Sequence, residues 1–295
     1  MENTVRGTII KGIAGFYYVD CVNAIYECHA KGIFRKDKEK PLVGDVADIE
    51  ILDEEKHIGN LVAIEPRKNR LYRPEVANVD QALIVFAFSH PEPNVGLLDK
   101  FLVMLNMVDI ECAIIFNKSD LADKDAMQIM EAYRNSGAKV LAISAKDKGD
   151  ADRVKELLTG KCSILAGPSG VGKSTLINAV LDREAMETGD ISHKLERGRH
   201  TTRHSELFRL FDNTYIMDTP GFTSFELPVT LTKEELKEHY PEFYQYEGQC
   251  HFEPCSHTHE PGCKVKEMVE NGGISKIRYV GYVNIYNEIK NRRLY

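Results

Sequence analysis

Residues 167–175 read Gly-Pro-Ser-Gly-Val-Gly-Lys-Ser-Thr and match the pattern G-x-x-x-x-G-K-[ST] at every fixed position. The apolar run 162–166 precedes them and predicts a strand, and the apolar-periodic residues 176–181 that follow predict a helix. In this context the glycines let the backbone N–H groups surround phosphate oxygens at the start of a helix. The sequence therefore predicts a parallel α/β sheet with a nucleoside triphosphate site.

Two residues of this loop have further chemical roles. Lys173 would place its ammonium group on the β- and γ-phosphates, and Ser174 would offer its hydroxyl to Mg²⁺, which prefers octahedral oxygen ligands shared with phosphates. The residues expected to bind the nucleotide here are Gly167, Pro168, Ser169, Gly170, Val171, Gly172, Lys173, Ser174 and Thr175.

Two more motifs distinguish guanine from adenine. Asn-Lys-Ser-Asp at 117–120 and Ser-Ala-Lys at 144–146 each follow an apolar run, where loops leave the carboxyl end of a parallel sheet. Asp120 can accept hydrogen bonds from both the ring N–H and the exocyclic amine of guanine, a donor pair that adenine lacks. A backbone N–H of 144–146 would face guanine O6, and adenine would leave it unpaired at a cost of about 1–3 kcal/mol. The residues expected to contact the base are Asn117, Lys118, Ser119, Asp120, Ser144, Ala145 and Lys146.

The remaining ligands of the triphosphate follow the phosphate loop. Asp218 ends a predicted strand and would hold Mg²⁺ through water, and the N–H of Gly221 would contact the γ-phosphate. One of Thr201 and Thr202 would complete the Mg²⁺ shell, and Thr202 is preferred because it directly precedes Arg203, as in related GTPases.

The position after Gly221 is Phe222, where many Ras-like enzymes have the Gln that orients the attacking water. Phenylalanine cannot do this, so we expect slow intrinsic turnover. His200 is the candidate for positioning or deprotonating water, with a solvent- or RNA-facing histidine as the alternative, and His204 is a weaker candidate.

The motifs occur in a permuted order. A Ras-like GTPase has the phosphate loop first, whereas here 117–120 and 144–146 precede 167–175. A circular permutation can build the same sheet because domain termini usually lie close together.

Residues 1–70 predict a separate β domain. Five short segments rich in β-branched and aromatic residues favour a closed barrel of the OB type, with an SH3-like barrel as the alternative. A polar linker at 65–74 follows, and a Lys/Glu-rich helix and a helical tail are predicted after residue 228. The strands are predicted at 4–10, 16–20, 22–28, 45–52 and 61–64.

Three of the seven cysteines crowd into one short stretch near the carboxyl terminus. Cys250, Cys255 and Cys263, together with one of the histidines His251, His257 and His259, would supply the closed Cys₃His set of a structural zinc site. The domains expected are therefore 1–70, an OB-type barrel; 71–228, a permuted α/β P-loop GTPase domain; and 229–295, a mainly helical zinc-binding domain.

Composition excludes several classes of protein. The formal net charge of −7 argues against nonspecific coating of nucleic acid, and no apolar run approaches the ~18–20 residues of a membrane-spanning helix. No secretory signal is visible, so we expect a cytoplasmic protein with no membrane or DNA partner. Basic residues at 67–73, 194–203 and 290–293 are candidates for localised RNA contact, with a solvated surface as the alternative.

The barrel, the permuted motifs NKSD, SAK, GPSGVGKST, GRHTTR and DTPG, and the Cys/His cluster together resemble the ribosome small-subunit-dependent GTPase A family. The resemblance covers essentially the whole chain and selects His257 as the zinc-binding histidine. It implies a factor that binds the 30S subunit and its 16S rRNA during late maturation and hydrolyses GTP there, with Mg²⁺ and one structural Zn²⁺. We expect a monomer.

Two other functions fit parts of the sequence. A P-loop kinase for a small molecule is opposed by the two guanine motifs, and competition between GTP and ATP for the site would distinguish it. An RNA-binding adaptor with an inert nucleotide site would be excluded by hydrolysis that ribosomes stimulate.

Overall fold

The structure of this protein is a computed structural model. It describes residues 4–30, 40–72, 74–181, 206–218 and 227–292, without the side chains of Tyr72 and Asp218. None of the helices in these ranges is long and apolar enough to cross a membrane.

The first five strands form a closed barrel in the order β1-β2-β3-β5-β4. This is a five-stranded Greek-key barrel of the OB type, as predicted, and its interior holds Ile9, Val19, Ile49 and Leu61. The strands are β1 Thr4–Ile13, β2 Phe16–Asp20, β3 Ile25–Ala30, β4 Val46–Asp53 and β5 Ile58–Ile64.

The predicted start of β3 at residue 22 is wrong by three residues. Val22 has a left-handed backbone, with φ of 71°. Its N–H donates to Asp20 Oδ1 at 3.0 Å, which turns the chain before the strand begins at Ile25.

The predicted linker contains a short hairpin of β6 (Arg70–Tyr72) and β7 (Glu75–Ala77). Arg67, just before it, is bound at its Nε by the fully buried Asp45 at a distance of 2.7 Å. This part of the chain is therefore tied to the barrel.

Six strands form the sheet predicted for the central region, in the order β10-β9-β8-β11-β13-β12. β9 and β10 are parallel neighbours, as are β11 and β13, whereas β12 and β13 form an antiparallel hairpin. The strands are β8 Gln81–Ala87, β9 Glu111–Asn117, β10 Lys139–Ala142, β11 Cys162–Ala166, β12 Phe208–Phe211 and β13 Thr214–Asp218. The helices of this region are α1 Val95–Met107, α2 Lys124–Ala132, α3 Lys148–Leu158 and α4 Lys173–Val180.

The start of the carboxyl-terminal region differs from the helix predicted after residue 228. The expected Lys/Glu-rich helix is replaced by two 3₁₀ turns, Leu236–His239 and Pro241–Tyr246. Pro241 separates the two turns, because it holds the preceding Tyr240 out of helical geometry. Helices α5 (Lys264–Glu270) and α6 (Lys276–Lys290) follow, and Tyr282 of α6 is fully buried.

The chain divides into two compact units. The first contains the barrel, most of α3, and strands β11, β12 and β13. The second contains β8, β9, β10, α1, α2, the phosphate loop and the carboxyl-terminal region.

Within the first unit, the barrel is bonded to the β12–β13 hairpin. Tyr215, in β13, donates its hydroxyl to Oδ2 of the buried Asp20 at 3.1 Å, and Arg209, in β12, donates to Oδ1 at 3.3 Å. The pairing of β1 with β2 shifts register between Ile9 and Lys11, and the carbonyl of Ile10 in that shift accepts the N–H of Leu207 at 2.8 Å.

Candidate functional site

The phosphate loop follows β11 and requires glycine at two positions. At Gly167 (φ 140°) an added Cβ would lie 2.1 Å from the carbonyl oxygen of Val85. At Gly172 (φ 93°) it would lie 2.4 Å from Nδ2 of Asn117. The loop thus packs so closely on its neighbours that any side chain at either position would displace backbone or Asn117.

The carboxyl-terminal end of the phosphate loop leads into α4 at Lys173. Lys173 Nζ donates to the carbonyl oxygens of Gly167 and Pro168, both at 2.8 Å, so its ammonium group lies over the loop. Ser174 and Thr175 are exposed in the first turn of α4. This brings a cation, two hydroxyls and the positive end of a helix to one place, which suits a polyphosphate.

Asn117 connects the phosphate loop with the 144–146 turn. Its Nδ2 donates to the carbonyl of Val171 at 2.8 Å, and its Oδ1 accepts the N–H of Ala145 at 3.0 Å. The side chain is buried, so each half of the amide satisfies a group that has no access to water. Only a side chain with both a donor and an acceptor can make this connection.

Asp120 lies on the 3₁₀ turn Ser119–Leu121 and faces the 144–146 turn. Its Oδ1 accepts the Ser144 hydroxyl at 3.1 Å, and its Oδ2 lies 3.8 Å from Lys146 Nζ. The Asp120 side chain remains 42% exposed, so its carboxylate is accessible to the base of a nucleotide.

Lys118 has a left-handed backbone, with φ of 61°. Its Nζ donates to the carbonyl of Gly170 at 2.9 Å and to the carbonyl of His90. The three motifs predicted from sequence to form the nucleotide site are therefore joined by direct hydrogen bonds.

Sequence reasoning missed two residues that hold this arrangement. The carbonyl of His90 binds Lys118, and Asp150 Oδ2 accepts the N–H of Ser144 at 2.8 Å. His90 lies in a loop and Asp150 in the first turn of α3. No sequence pattern distinguishes either residue from an ordinary polar surface residue.

Some predicted residues cannot be placed. His200, Thr201, Thr202 and Gly221 lie outside the described residues. The backbone of Asp218 ends β13 and pairs with Leu165 of β11, and its side chain is not described.

The structure brings Cys250, Cys255, His257 and Cys263 together, with all four ligand atoms within 4.8 Å of one another. The sulfurs of Cys250 and Cys263 are 3.9 Å apart, and His257 Nδ1 lies 3.5 Å and 3.4 Å from them. A tetrahedral zinc ion with Zn–S bonds of about 2.3 Å requires sulfurs roughly 3.8 Å apart. The donor set and its spacing therefore fit zinc.

Backbone groups around the cluster also suit thiolates. The N–H of His257 points to Cys255 Sγ at 3.4 Å, and that of Lys264 points to Cys250 Sγ at 3.3 Å. Burial raises the pKa of Cys255 to about 12, so a bound cation is needed to favour the thiolate. Burial also lowers the pKa of His257, which favours the neutral, ligating imidazole.

The two alternative histidines point elsewhere. His251 is exposed and its ring contacts Phe252, and the exposed His259 is hydrogen bonded through Nδ1 to Thr258 at 2.9 Å. His257 is the histidine that joins the three cysteines.

A buried ion network joins the carboxyl-terminal region to α1 within the second unit. Arg278 of α6 is 1% exposed and bonds Glu242 through Nε at 2.7 Å and Asp99 through Nη1. Its guanidinium also lies 4.5 Å from the ring centre of Tyr240 and 5.2 Å from that of Tyr133. Sequence reasoning gave no sign of this network.

The described cations of the predicted basic linker are engaged with carboxylates, whereas Arg73 lies outside the described residues. Besides the bond of Arg67 to Asp45, Lys68 pairs with Asp80 at 2.9 Å and Arg70 with Glu75 at 2.8 Å. These ion pairs weaken the case for this segment as an RNA contact, since its charge is largely neutralised.

Comparison with known proteins identifies the family. The family described as RsgA GTPase matches residues 64–228, and the RsgA N-terminal domain matches residues 6–58. The chain belongs to the RsgA GTPase family. It is therefore a GTP-hydrolysing enzyme, and membership of a GTPase family implies that it uses Mg²⁺ with GTP.

Relatives of this family align over nearly the entire chain. The small ribosomal subunit biogenesis GTPase RsgA of Agathobacter rectalis is 50% identical over 303 aligned residues, which cover 99% of this chain and 100% of the relative. The protein of the same name from Clostridium kluyveri is 46% identical over 292 residues, with 99% and 100% covered.

Two solved structures share the fold. YjeQ from Thermotoga maritima is 34% identical with a TM-score of 0.80, covering 98% of this chain and 100% of that one. YloQ, described as a circularly permuted GTPase, is 34% identical with a TM-score of 0.78, covering 99% and 97%. The permuted order predicted from the motifs is therefore confirmed.

Proposed function

We propose that this RsgA-family GTPase binds the small (30S) ribosomal subunit during its late maturation and hydrolyses GTP to GDP and phosphate there. The full-length similarity to proteins named small ribosomal subunit biogenesis GTPase supports this function. The geometric observation that carries the nucleotide part is the pair of hydrogen bonds from Asn117 to the phosphate loop and to the 144–146 turn.

We assign guanine recognition to the 117–120 and 144–146 motifs, which the hydrogen bond between Asn117 and Ala145 joins. Asp120 accepts the ring N–H and the exocyclic amine, and its bond from Ser144 supports this orientation. A backbone N–H of the 144–146 turn donates to O6.

The phosphates and Mg²⁺ are assigned to the loop and to residues that follow it in the sequence. Lys173 and the loop N–H groups bind phosphate, Ser174, Thr202 and Asp218 hold Mg²⁺, and Gly221 contacts the γ-phosphate. When bound, Mg²⁺ neutralises charge on the β- and γ-oxygens. Thr202 is proposed over Thr201 on the sequence argument alone.

His200 is the proposed residue that orients or deprotonates the attacking water. Because Phe222 occupies the position that carries Gln in many related enzymes, the isolated protein should turn over slowly. Contact with the ribosome would then complete the site.

The Cys₃His cluster is proposed to hold one structural Zn²⁺ per chain through Cys250, Cys255, His257 and Cys263. Support comes from the spacing of the four donor atoms and the N–H groups directed at two sulfurs. Four protein ligands leave no open position, so the ion would stabilise the fold and take no part in hydrolysis.

The finer statements on partners and organisation are also proposals. The RNA contact is 16S rRNA, and the protein is a cytoplasmic monomer with no DNA or membrane partner. Its functional domains are 1–70, 71–228 and 229–295.

The test is GTP hydrolysis by the purified protein alone, with 30S subunits and with 50S subunits. We expect a large increase with 30S subunits alone, and Lys173→Ala should abolish it. Tight GTP binding without stimulation by either subunit would contradict the proposed partner. Preference for ATP over GTP would contradict the proposed guanine site.

A further inference from the structure

The 144–147 turn has four consecutive backbone N–H groups, and three have partners. Ser144 N–H donates to Asp150 Oδ2 at 2.8 Å, and Ala145 N–H donates to Asn117 Oδ1 at 3.0 Å. Asp147 N–H donates to the carbonyl of Ser144 at 2.9 Å. Among the hydrogen bonds of the described residues, none uses the N–H of Lys146, an exposed residue.

Asp150 lies in the first turn of α3, where an acidic side chain usually accepts a backbone N–H at the start of its own helix. Asp147 accepts the N–H of Asp150 through Oδ1 at 2.9 Å, which is half of a capping box. In the other half, the acidic side chain would reach back to the N–H of Asp147, but that N–H is already bonded to Ser144. The Asp150 carboxylate instead binds the loop before the helix.

We propose that Asp150 is a positioning residue for guanine recognition, an inference that rests on the base site proposed above. By holding the N–H of Ser144, it fixes the turn from which the Ser144 hydroxyl reaches Asp120. The same turn leaves the N–H of Lys146 as the donor for guanine O6. Asp150 itself does not contact the nucleotide.

Removal of the carboxylate leaves Ser144 N–H without this acceptor and frees the turn. Asp150→Ala should therefore weaken GDP binding about tenfold, since loss of one acceptor for a partly buried donor has effects of that order. Asp150→Asn keeps an oxygen acceptor and should stay within about threefold of the wild-type affinity.

The experiment measures the affinities of GDP and of 6-thioguanosine diphosphate, in which a weakly accepting sulfur replaces O6. Four proteins are compared: wild type, Asp150→Ala, Asp150→Asn and Asp152→Ala. Asp152 is an exposed aspartate of the same helix, so it controls for loss of one negative charge. Because O6 is the atom the turn reads, Asp150→Ala should reduce GDP affinity more than it reduces affinity for the thio analogue.

Three outcomes would overturn the assignment of Asp150. They are wild-type GDP affinity in Asp150→Ala, equal loss of both nucleotides, and an equal loss of GDP affinity in Asp152→Ala. Failure of the base site itself has a different signature, because the wild-type protein would then bind GDP no better than ADP.

Discussion

The buried side chain of Asn117 contacts both the phosphate loop and the 144–146 turn. Its amide satisfies the carbonyl of Val171 on one side and the N–H of Ala145 on the other. The phosphate loop and the 144–146 turn are separate segments of the sequence, and this residue connects them directly. The motif predicted the residue, but the direction of its two bonds came from the structure.

Asn117→Asp should therefore impair nucleotide binding although it preserves size. The new carboxylate still accepts the Ala145 N–H, but it places negative charge against the Val171 carbonyl and removes that oxygen's donor. A cost of about 1–3 kcal/mol follows, or roughly a 5- to 150-fold weaker affinity for GDP.

Titration with a fluorescent GDP analogue would measure this change. Asn135→Asp, an exposed position beyond α2, is the control and should bind normally. Wild-type affinity in Asn117→Asp would show that the connection has no energetic role.

At the scale of elements, the segment from Cys250 to Cys263 lacks the regular structure that would hold it. The 3₁₀ turns and α5 on either side are short, and Cys255 and Cys263 pack into the same apolar cluster as Tyr240 and Tyr282. A metal bound there would replace the hydrogen bonds that a longer helix or sheet would otherwise provide.

Metal analysis of the purified protein should find about one zinc ion per chain, as expected for a closed Cys₃His site. Cys263→Ser should lose that zinc and lower the thermal midpoint of unfolding, and a strong chelator should do the same to the wild type. Cys112→Ala, which changes a cysteine in β9, should keep its zinc. Retention of zinc by Cys263→Ser would contradict the ligand set.

The local sequence pattern predicted most helices and strands, whereas it did not predict polar contacts between distant residues. A strand was predicted at 162–166 because the run is apolar, and β11 has these bounds. The 3₁₀ turns were missed because the Lys/Glu composition favours a helix, although Pro241 stops any helix before Tyr240. Asp150 was missed because its partner lies in the preceding loop.

At the scale of the molecule, the Asp99–Arg278–Glu242 network joins segments from opposite ends of the second unit's sequence. Gly281 permits this packing, since a Cβ there would lie 1.7 Å from Asp99 Oδ2. Burial raises the pKa of Asp99 to about 6, because the charged carboxylate is removed from water. Arg278 opposes this shift, and the second buried carboxylate, Glu242, adds to it.

This shift predicts a pH dependence of stability. Because the pKa of Asp99 is raised from 3.8 to about 6, the folded protein binds more protons than the unfolded chain between these values. The contribution of Asp99 to the free energy of unfolding should therefore fall as the pH rises from about 4 to about 6.

Urea unfolding across this range would test the prediction. Asp99→Asn should lack that part of the slope, whereas Asp152→Asn, which changes an exposed carboxyl, should keep it. An identical pH profile for Asp99→Asn and the wild type would contradict the assignment.

The bond between Asp20 and Tyr215 also has a consequence for synthesis of the chain. The two residues are 195 positions apart, and at about 5–20 residues per second the second follows the first by roughly 10–40 s. The barrel strands are all complete by Ile64, so a nascent barrel can close while Asp20 and the carbonyl of Ile10 still face water. In a chain that stops before Leu207, Asp20 would keep the N–H of Val22 but lack Arg209 and Tyr215, and the Ile10 carbonyl would lack the N–H of Leu207. These missing partners distinguish an unfinished chain from a complete one.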